Sequence, residues 1–206
     1  MTPLPRWIEA PLALLGLLAA SPVLLLAAWA IKLSSPGPVF FRQERMGQGG
    51  RPFTLLKLRS MRQDGQAGPQ VTARGDSRVT GVGRVLRKLK IDELPGLWNV
   101  VRGEMALVGP RPEVPRYVDL ADPRWQAVLS ARPGMTDPVT LSLRNEEELL
   151  APVEDREAFY RERLLPYKLA GYQEYLARRT PWRDVQVLLA TTLGVLWPGR
   201  HPPPKL

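Results

Sequence analysis

Two adjacent carboxylates, Asp92 and Glu93, are the most informative reactive side chains in the sequence. The residues just before them are largely basic: Arg87, Lys88 and Lys90. Leu94-Pro95 follows, and because proline is tolerated in a first helical turn, we predict a short helix starting around Asp92. The helix dipole and the basic cluster would both stabilise negative charge there.

Such a carboxylate can attack phosphorus and form an acyl phosphate, a recognised form of covalent catalysis. Repulsion between the carboxylate and a diphosphate would have to be screened, and a hard cation such as Mg²⁺ would do this. On spacing alone there is a simpler alternative, in which Asp92 caps a helix and Glu93 is a solvated first-turn acid.

The composition narrows the available chemistry. The chain has 206 residues, with 29 Lys and Arg against 20 Asp and Glu, and a net charge of +9. This excess favours phosphate-rich partners. There is no cysteine, and the single histidine, His201, lies in a proline-rich tail. These facts exclude disulfides, thiol nucleophiles, Ser-His triads and histidine-rich metal sites. Catalysis must therefore use carboxylates, Lys, Arg, Tyr or a hard cation.

The N-terminal segment is apolar enough for a membrane. No charged residue occurs from Ala10 to Ile31, and about 20 such residues can cross a bilayer. Ser21-Pro22 divides this run, and proline removes a helical hydrogen bond. We expect either a re-entrant helix-break-helix or a kinked spanning helix. Positive charge on both flanks, at Arg6 and Lys32, gives weak support to two cytoplasmic ends. The residues alone leave both topologies open.

The remaining chain predicts a mainly helical α+β fold. Val39–Phe41 and Phe53–Leu56 flank a glycine-rich stretch and predict a small β-hairpin. The spacing of Val82, Val85, Leu86 and Leu89 predicts an amphipathic helix, and residues 154–179 read as helical, interrupted at Pro166. A last helix from Trp182 to Trp197 would lie at the lipid–water boundary or close the core. We divide the chain into a membrane segment (1–34), a catalytic domain (35–180) and a C-terminal helix with its tail (181–206).

One long ordered run of motifs resembles a known family. It comprises Asp76-Ser77-Arg78-Val79-Thr80, Val82-Gly83-Arg84, Leu86-Arg87-Lys88, Asp92-Glu93-Leu94-Pro95, Leu97-Trp98-Asn99-Val100, Gly103-Glu104-Met105 and Val108-Gly109-Pro110-Arg111-Pro112. Flanking matches are Gly37–Arg45, Lys57–Met61, Arg132–Thr136 and Arg144-Asn145. This pattern closely resembles the bacterial sugar transferases, which are small monotopic phosphoglycosyl transferases. The resemblance extends from Ser21-Pro22 to Asp184.

The resemblance implies an enzyme that transfers a sugar-1-phosphate from a nucleotide diphosphate sugar, usually a UDP-sugar, to a polyprenol phosphate. The family is thought to act at the cytoplasmic face of the bacterial inner membrane and to start glycan assembly, releasing UMP through a covalent aspartyl intermediate. By motif, Asp92 would be the nucleophile and Glu93 a Mg²⁺ ligand with a further role near the acceptor. The expected substrate-binding residues are Lys57, Arg87, Pro110, Arg111, Pro112, Arg144 and Asn145.

The resemblance also favours the re-entrant form of the membrane segment, with the turn at Ser21 and Pro22. Expected partners are the donor sugar, the polyprenol phosphate and membrane lipid, with a homodimer left open and no nucleic acid. The sequence after Thr136 departs from the family pattern, which leaves the role of Arg144 in sugar recognition open. The rival interpretation is a non-catalytic, membrane-tethered module whose basic helix binds nucleic acid or anionic lipid.

Overall fold

The computed structural model describes residues 3–62, 75–144 and 146–196. The helices are α1 (Arg6–Ser34), α2 (Gly81–Lys88), α3 (Gly96–Arg102), α4 (Pro123–Leu129), α5 (Pro138–Ser142), α6 (Glu146–Leu149), α7 (Arg156–Phe159), α8 (Leu165–Ala177) and α9 (Pro181–Leu196). The strands are β1 (Phe40–Met46), β2 (Pro52–Leu58), β3 (Ala106–Val108) and β4 (Gly134–Thr136). The expected mainly helical α+β class is confirmed.

The apolar N-terminal segment forms one continuous helix, so the predicted break into two helices is wrong. Pro22 lies inside α1 and has no amide hydrogen to donate to the Leu18 carbonyl. The Ser21 hydroxyl donates to that same carbonyl at 2.7 Å. The helix continues because the neighbouring side chain replaces the hydrogen bond that proline removes, an arrangement that membrane helices use.

Both ends of α1 are attached to the rest of the protein. Near the N-terminus, Glu9 is fully buried and accepts hydrogen bonds from the Leu107 amide (3.1 Å) and the Arg132 guanidinium (2.8 Å). At the C-terminus, Ile31 packs in a buried cluster with Leu58. The Arg59 guanidinium donates to the Ser35 carbonyl just beyond the helix, at 2.8 Å.

The middle of α1 is different, since none of the residues from Leu14 to Leu26 is buried. Large apolar side chains in this stretch are exposed, including Leu15, Leu18, Leu25 and Leu26. By length and composition α1 could cross a membrane. It therefore presents an uncovered apolar middle between two anchored ends.

The predicted β-hairpin is confirmed. β1 and β2 are antiparallel, with Phe40 opposite Leu58 and Met46 opposite Pro52. Asn99 of α3 fixes this hairpin, because its side-chain oxygen accepts from the Leu56 amide (3.1 Å) and its amide group donates to the Thr54 carbonyl (2.7 Å). The buried amide thus places β2 beside α3, which follows the Asp92-Glu93 pair in the chain.

The predicted amphipathic helix is confirmed as α2, although only part of its apolar face is covered. Leu86 is buried and Val82 packs beside it, whereas Val85 and Leu89 are exposed. After α2 the chain reverses at Lys90, which has a left-handed backbone (φ 57°), a conformation that is uncommon for a residue with a side chain.

The expected helix start around Asp92 is confirmed only in part. Residues Ile91–Glu93 form a single 3-10 turn, and α3 begins at Gly96. Buried Pro95 is the residue before that helix and still has a helical backbone. The carboxylates therefore lie in the 3-10 turn that precedes α3.

A short parallel pair, which the sequence did not predict, joins two of the motifs. Ala106 of β3 lies opposite Gly134 of β4. A Cβ atom built on Gly134 would come within 2.1 Å of the Gly109 nitrogen, so only glycine permits this approach. The Gly134 amide then donates to the Pro110 carbonyl at 2.9 Å. The chain preceding Arg111 is held against β4 by these contacts.

The C-terminal helices complete the core. α7 continues through a wider π-helical turn (Tyr160–Leu164) into α8, and Pro166 lies in the first turn of α8, so the interruption expected there does not occur. α9 packs against the core on one face, as one of the two expectations has it, while its position at a lipid–water boundary stays a prediction. Its Val187 and Asp184 are buried, while Trp182, Leu189 and Leu193 are exposed. Trp197, at the expected far end, lies outside the described residues.

Candidate active site

Three of the predicted site residues meet in one ion cluster. Lys57, on β2, places its Nζ 3.0 Å from Glu93 Oε1. Arg111 lies in the proline-flanked turn after β3. Both of its terminal nitrogens donate to the same carboxylate: Nη1 lies 3.2 Å from Oε2, and Nη2 contacts Oε1. Hydrogen-bonded forks of this kind are the strong form of ion pairing. The structure thus brings Lys57, Glu93 and Arg111 together from three separate segments.

Burial and the neighbouring positive charges shift the pKa of Glu93 in opposite directions. Burial alone would raise the pKa of this carboxyl, but Arg111 and Lys57 together hold the pKa well below its ordinary value. The effect on Arg111 is reciprocal, since Glu93 raises the pKa of the guanidinium. Glu93 is therefore ionised, and its charge is compensated from two sides.

These residues line a cleft between β2, the 3-10 turn and the Arg111 turn. Its walls are formed by Arg45, Leu55, Leu56, Lys57, Glu93, Met105, Arg111, Pro112, Gly134 and Met135. The cationic side chains lie beside apolar ones, so charge inside the cleft is poorly screened by water. A cleft of this composition suits an anion with an organic part.

Asp92 has a buried carboxylate oxygen with no hydrogen-bond partner in the described part of the chain. The residue is 7% exposed, and the unpaired atom is Oδ1. Burial raises the pKa of Asp92 and the adjacent Glu93 raises it further, while Lys57, Lys90 and Arg87 act in the opposite direction. A buried polar atom left unpaired is costly, and in native proteins such an atom is commonly satisfied by a water, an ion or a ligand.

Arg87 lies close enough to Asp92 to affect its pKa, but its guanidinium is engaged elsewhere. Its Nε donates to Glu147 Oε1 at 3.0 Å, and a second nitrogen contacts the same oxygen. Glu147 belongs to α6, whose neighbouring Glu146 accepts from Lys168 (3.0 Å). The acidic helix α6 therefore binds Arg87, the arginine that was expected to bind a phosphate.

The remaining predicted residues are placed less centrally. Pro110 and Pro112 are buried on either side of Arg111 and fix its turn. Arg144 is half-buried, and no hydrogen bond or ion pair joins it to another residue among those described, so its role stays a prediction. Asn145 lies outside the described residues. Ser21 and Pro22 are in the exposed middle of α1, remote from the cluster in the chain and not in contact with it.

One residue in the cleft wall and its acidic partner were missed by the sequence analysis. Arg45, the second-last residue of β1, donates to the Pro112 carbonyl at 2.9 Å, and Glu113 lies 3.4 Å from Arg45. Both belong to, or directly follow, motifs that carry the family resemblance. The local signal was Glu113 next to Pro110-Arg111-Pro112, but nothing in the sequence paired it with a residue 68 positions away.

The carboxylates leave room for a metal ion. The described residues contain no cluster of three or more metal-ligating side chains, but Mg²⁺ commonly binds through one or two carboxylates and completes its shell with water and substrate phosphate. Glu93 Oε2 accepts a single hydrogen bond, from Arg111, which leaves a lone pair free. Asp92 Oδ1 has no partner among the described side chains. The donor set therefore fits Mg²⁺.

Comparison with known proteins defines the class. The model of the family described as bacterial sugar transferase matches residues 2–198. The chain therefore belongs to the bacterial sugar transferase family.

Named relatives agree with this assignment. The chain is 45% identical over 181 residues to a UDP-glucose:undecaprenyl-phosphate glucose-1-phosphate transferase of Caulobacter vibrioides, an alignment that covers 85% of the chain and 63% of the relative. It is 37% identical to the Escherichia coli protein of the same name, covering 87% of the chain and 37% of the relative. It is 40% identical to the exopolysaccharide production protein ExoY of Sinorhizobium fredii, covering 68% and 70%. The chain thus spans less than two thirds of the first two relatives.

Proposed function

We propose that this protein transfers a sugar-1-phosphate from a UDP-sugar to a polyprenol phosphate such as undecaprenyl phosphate and releases UMP. The observation that carries this proposal is the unpaired, buried oxygen of Asp92 beside a cluster of cations. Relatives named as sugar-1-phosphate transferases that use UDP-glucose and undecaprenyl phosphate support the choice of substrates. The reaction would be the first membrane step of glycan assembly.

In the first step, the Asp92 carboxylate attacks the β-phosphorus of the donor. A bond forms between the carboxylate oxygen and phosphorus, and the bond to the bridging oxygen breaks. UMP leaves with that electron pair, and the sugar-1-phosphate remains on Asp92 as an acyl phosphate. The raised pKa of Asp92 marks a more basic carboxylate than an exposed one, which favours nucleophilic attack once it is ionised.

In the second step, an oxygen of the polyprenol phosphate attacks the same phosphorus. The bond to Asp92 breaks, the carboxylate is restored and the lipid carries a diphosphate-linked sugar. Neither step requires a histidine or a thiol, in agreement with the composition of the chain. Catalysis of phosphoryl transfer depends mainly on positioning and charge stabilisation, which Lys57 and Arg111 supply from fixed places in the cleft.

Mg²⁺ is the cofactor we propose, and Glu93 and Asp92 are the residues that would hold it. When bound, the ion would neutralise phosphate charge during the transfer. Hydrogen bonds from Arg111 and Lys57 hold the Glu93 carboxylate in place. Arg87 would exchange Glu147 for a donor phosphate oxygen.

We also propose that α1 is a re-entrant membrane helix and that the globule rests on the cytoplasmic face of the inner membrane. Both ends of α1 are bound to the same globule, through Glu9 and through Ile31. The uncovered stretch between Leu14 and Leu26 is about 20 Å long at 1.5 Å per residue, which is short of the roughly 30 Å hydrocarbon layer. Proline bends helices, and Pro22 lies within this stretch.

Exposed apolar side chains on several other elements support lipid contact. They include Phe40 and Phe41 of β1, Val85 of α2, Leu89 directly after α2, Trp98 of α3, and Trp182, Leu189 and Leu193 of α9. Tryptophan is enriched at membrane–water boundaries.

Binding of nucleic acid by a basic helix is less well supported. Lys57 and Arg111, the cations beside Glu93, line a cleft and do not belong to that helix. Arg87 of the basic helix is likewise paired, with Glu147.

The test is UMP release by detergent-purified protein supplied with a panel of UDP-sugars and undecaprenyl phosphate. Asp92→Asn is expected to lower this rate by about a thousandfold or more, as for the loss of other nucleophiles. Continued UMP release by Asp92→Asn at the wild-type rate would rule out covalent catalysis by Asp92. For topology, labels at residues 2 and 206 in spheroplasts should be equally inaccessible from outside, and opposite accessibility would reject the re-entrant form.

A further inference from the structure

A chain of buried polar contacts leads away from the cleft and begins at Arg45. Nε and Nη2 of Arg45 donate to Gln43 Oε1 at 3.1 and 2.7 Å. Nη1 donates to the Pro112 carbonyl at 2.9 Å and lies 3.4 Å from Glu113 Oε1. A guanidinium has five N–H donors, and Arg45 commits most of them to protein acceptors. Arg45 therefore lines the cleft but has little capacity left to bind a substrate.

The contacts of Arg45 fix the backbone next to Arg111. Pro112 directly follows Arg111, and the next residue is also tied to β1, since the Met46 amide donates to the Glu113 carbonyl at 2.8 Å. On the other side, the Pro110 carbonyl accepts from the Gly134 amide at 2.9 Å. The backbone is therefore hydrogen-bonded on both sides of Arg111. Before it, β4 binds the Pro110 carbonyl, and after it, Arg45 and Met46 of β1 bind the carbonyls of Pro112 and Glu113.

Glu113 supplies the negative charge that compensates Arg45. Arg45 and Arg111 are two largely buried cations in the wall of the cleft, and they repel each other. Burial lowers the pKa of Arg45, and the charge of Arg111 contributes to this lowering. Glu93 compensates Arg111, while Glu113 compensates Arg45. A buried charge that loses its partner destabilises its surroundings strongly.

A hydrogen bond from Tyr160 orients the carboxylate of Glu113. Its hydroxyl donates to Glu113 Oε2, and the same hydroxyl accepts from Lys168 Nζ at 3.3 Å. The Val114 amide donates to the other oxygen, Oε1, at 2.9 Å. Glu113 is thus oriented by contacts to both of its oxygens, and the contact chain runs from Lys168 through Tyr160, Glu113 and Arg45 to Pro112.

We propose that Arg45 and Glu113, oriented by Tyr160, are positioning residues that hold Arg111 in place for the diphosphate of the donor. They act through the backbone of Pro112 and do not touch the reacting atoms. The proposal rests on the function proposed above, because it takes Arg111 as a phosphate-binding residue. A displacement of about 1 Å in such a group can change a rate by up to about a hundredfold.

The decisive comparison is between two tyrosines. Tyr160→Phe removes the hydroxyl that donates to Glu113, and Tyr117→Phe removes one that donates to Glu157 at 2.7 Å. The two rings are neighbours, with centroids 4.8 Å apart, so the variants are matched in chemistry and location. Only Tyr160 belongs to the contact chain that reaches Arg111.

We expect Tyr160→Phe to raise the KM for the UDP-sugar about 3- to 10-fold, with little change in the KM for undecaprenyl phosphate. Tyr117→Phe should leave both constants within about twofold of wild type. Arg45→Lys keeps the charge but loses the fork geometry, and it should raise the donor KM more than Tyr160→Phe does. Thermal unfolding of each variant separates these effects from loss of fold. Equal donor KM values for the two tyrosine variants, or an unchanged donor KM in Arg45→Lys, would overturn the positioning role.

Pyrophosphate binding, measured by calorimetry on the same proteins, separates this proposal from the proposed function. If wild type shows no turnover with any UDP-sugar, the proposed function fails. The positioning role then stands only if Tyr160→Phe and Arg45→Lys still weaken pyrophosphate binding while Tyr117→Phe does not. Normal turnover by wild type combined with unaltered pyrophosphate affinity and donor KM in both variants refutes the positioning role alone.

Discussion

Replacing Glu147 by glutamine should make the donor bind more tightly. In the substrate-free protein, Glu147 occupies the guanidinium of Arg87, which lies near Asp92 and is a proposed phosphate ligand. A phosphate oxygen must therefore displace a carboxylate before Arg87 can bind it. Glu147→Gln removes the competing charge and retains the size of the side chain.

The magnitude follows from the exposure of the pair. The Arg87 and Glu147 side chains are 23% and 42% exposed, so solvent screens their attraction. Partly exposed pairs of this kind contribute about 0.2–1 kcal/mol. Since about 1.4 kcal/mol corresponds to a tenfold change in affinity, the donor KM should fall by about 1.5- to 5-fold. The kcat should stay nearly constant, because the competing contact exists only before the donor binds.

The assay is UMP release at varied UDP-sugar and saturating undecaprenyl phosphate. Glu154→Gln is a suitable control, because it makes the same change in net charge at an exposed position with no ion pair to the described part of the chain. Its donor KM should match that of wild type. A donor KM that rises in Glu147→Gln would refute the competition, and it would show that Glu147 instead holds Arg87 in its binding position.

Three further results are expected. Asp184→Asn should lower the free energy of unfolding by about 3 kcal/mol in chemical denaturation, because it leaves Arg179 buried without its charge partner; a loss below about 1 kcal/mol would contradict this. Removing divalent cations with EDTA should abolish UMP release, and Mg²⁺ should restore it; full activity in EDTA would reject the cofactor. Pro22→Ala should leave residues 2 and 206 on the same side of the membrane, because both ends of α1 are bound to the globule; opposite labelling would show that proline alone sets the topology.

Local patterns in the sequence predicted many of the elements. The apolar runs on either side of the glycine-rich stretch predicted the β-hairpin, and the helical spacing from Val82 to Leu89 predicted α2. The helix start expected around Asp92 is a single 3-10 turn, and α3 begins at Gly96. No local pattern indicated the left-handed backbone of Lys90 between α2 and that turn. The break at Pro22 was wrong because one hydroxyl, on Ser21, satisfies the carbonyl that proline leaves free.

The candidate site was predictable in its residue types but not in its pairings. The motifs placed Lys57, Glu93 and Arg111 in one functional group, and the structure brings them into contact. The pairing of β3 with β4 depends on a close approach of Gly109 and Gly134, two residues 25 positions apart. The Arg87–Glu147 and Arg45–Glu113 pairs join segments that are 60 and 68 residues apart. Contacts of this length depend on the whole fold, and local periodicity carries no information about them.

The most direct test of the central claim is to look for the phosphosugar on Asp92 itself. Wild-type protein should be incubated with Mg²⁺ and a UDP-sugar that it turns over, in the absence of polyprenol phosphate, then quenched and digested for mass spectrometry. We expect a sugar-phosphate adduct on the peptide that contains Asp92, a matching burst of UMP, and neither in Asp92→Asn. An unmodified Asp92 peptide together with UMP release that occurs only when the lipid phosphate is present would contradict the covalent mechanism.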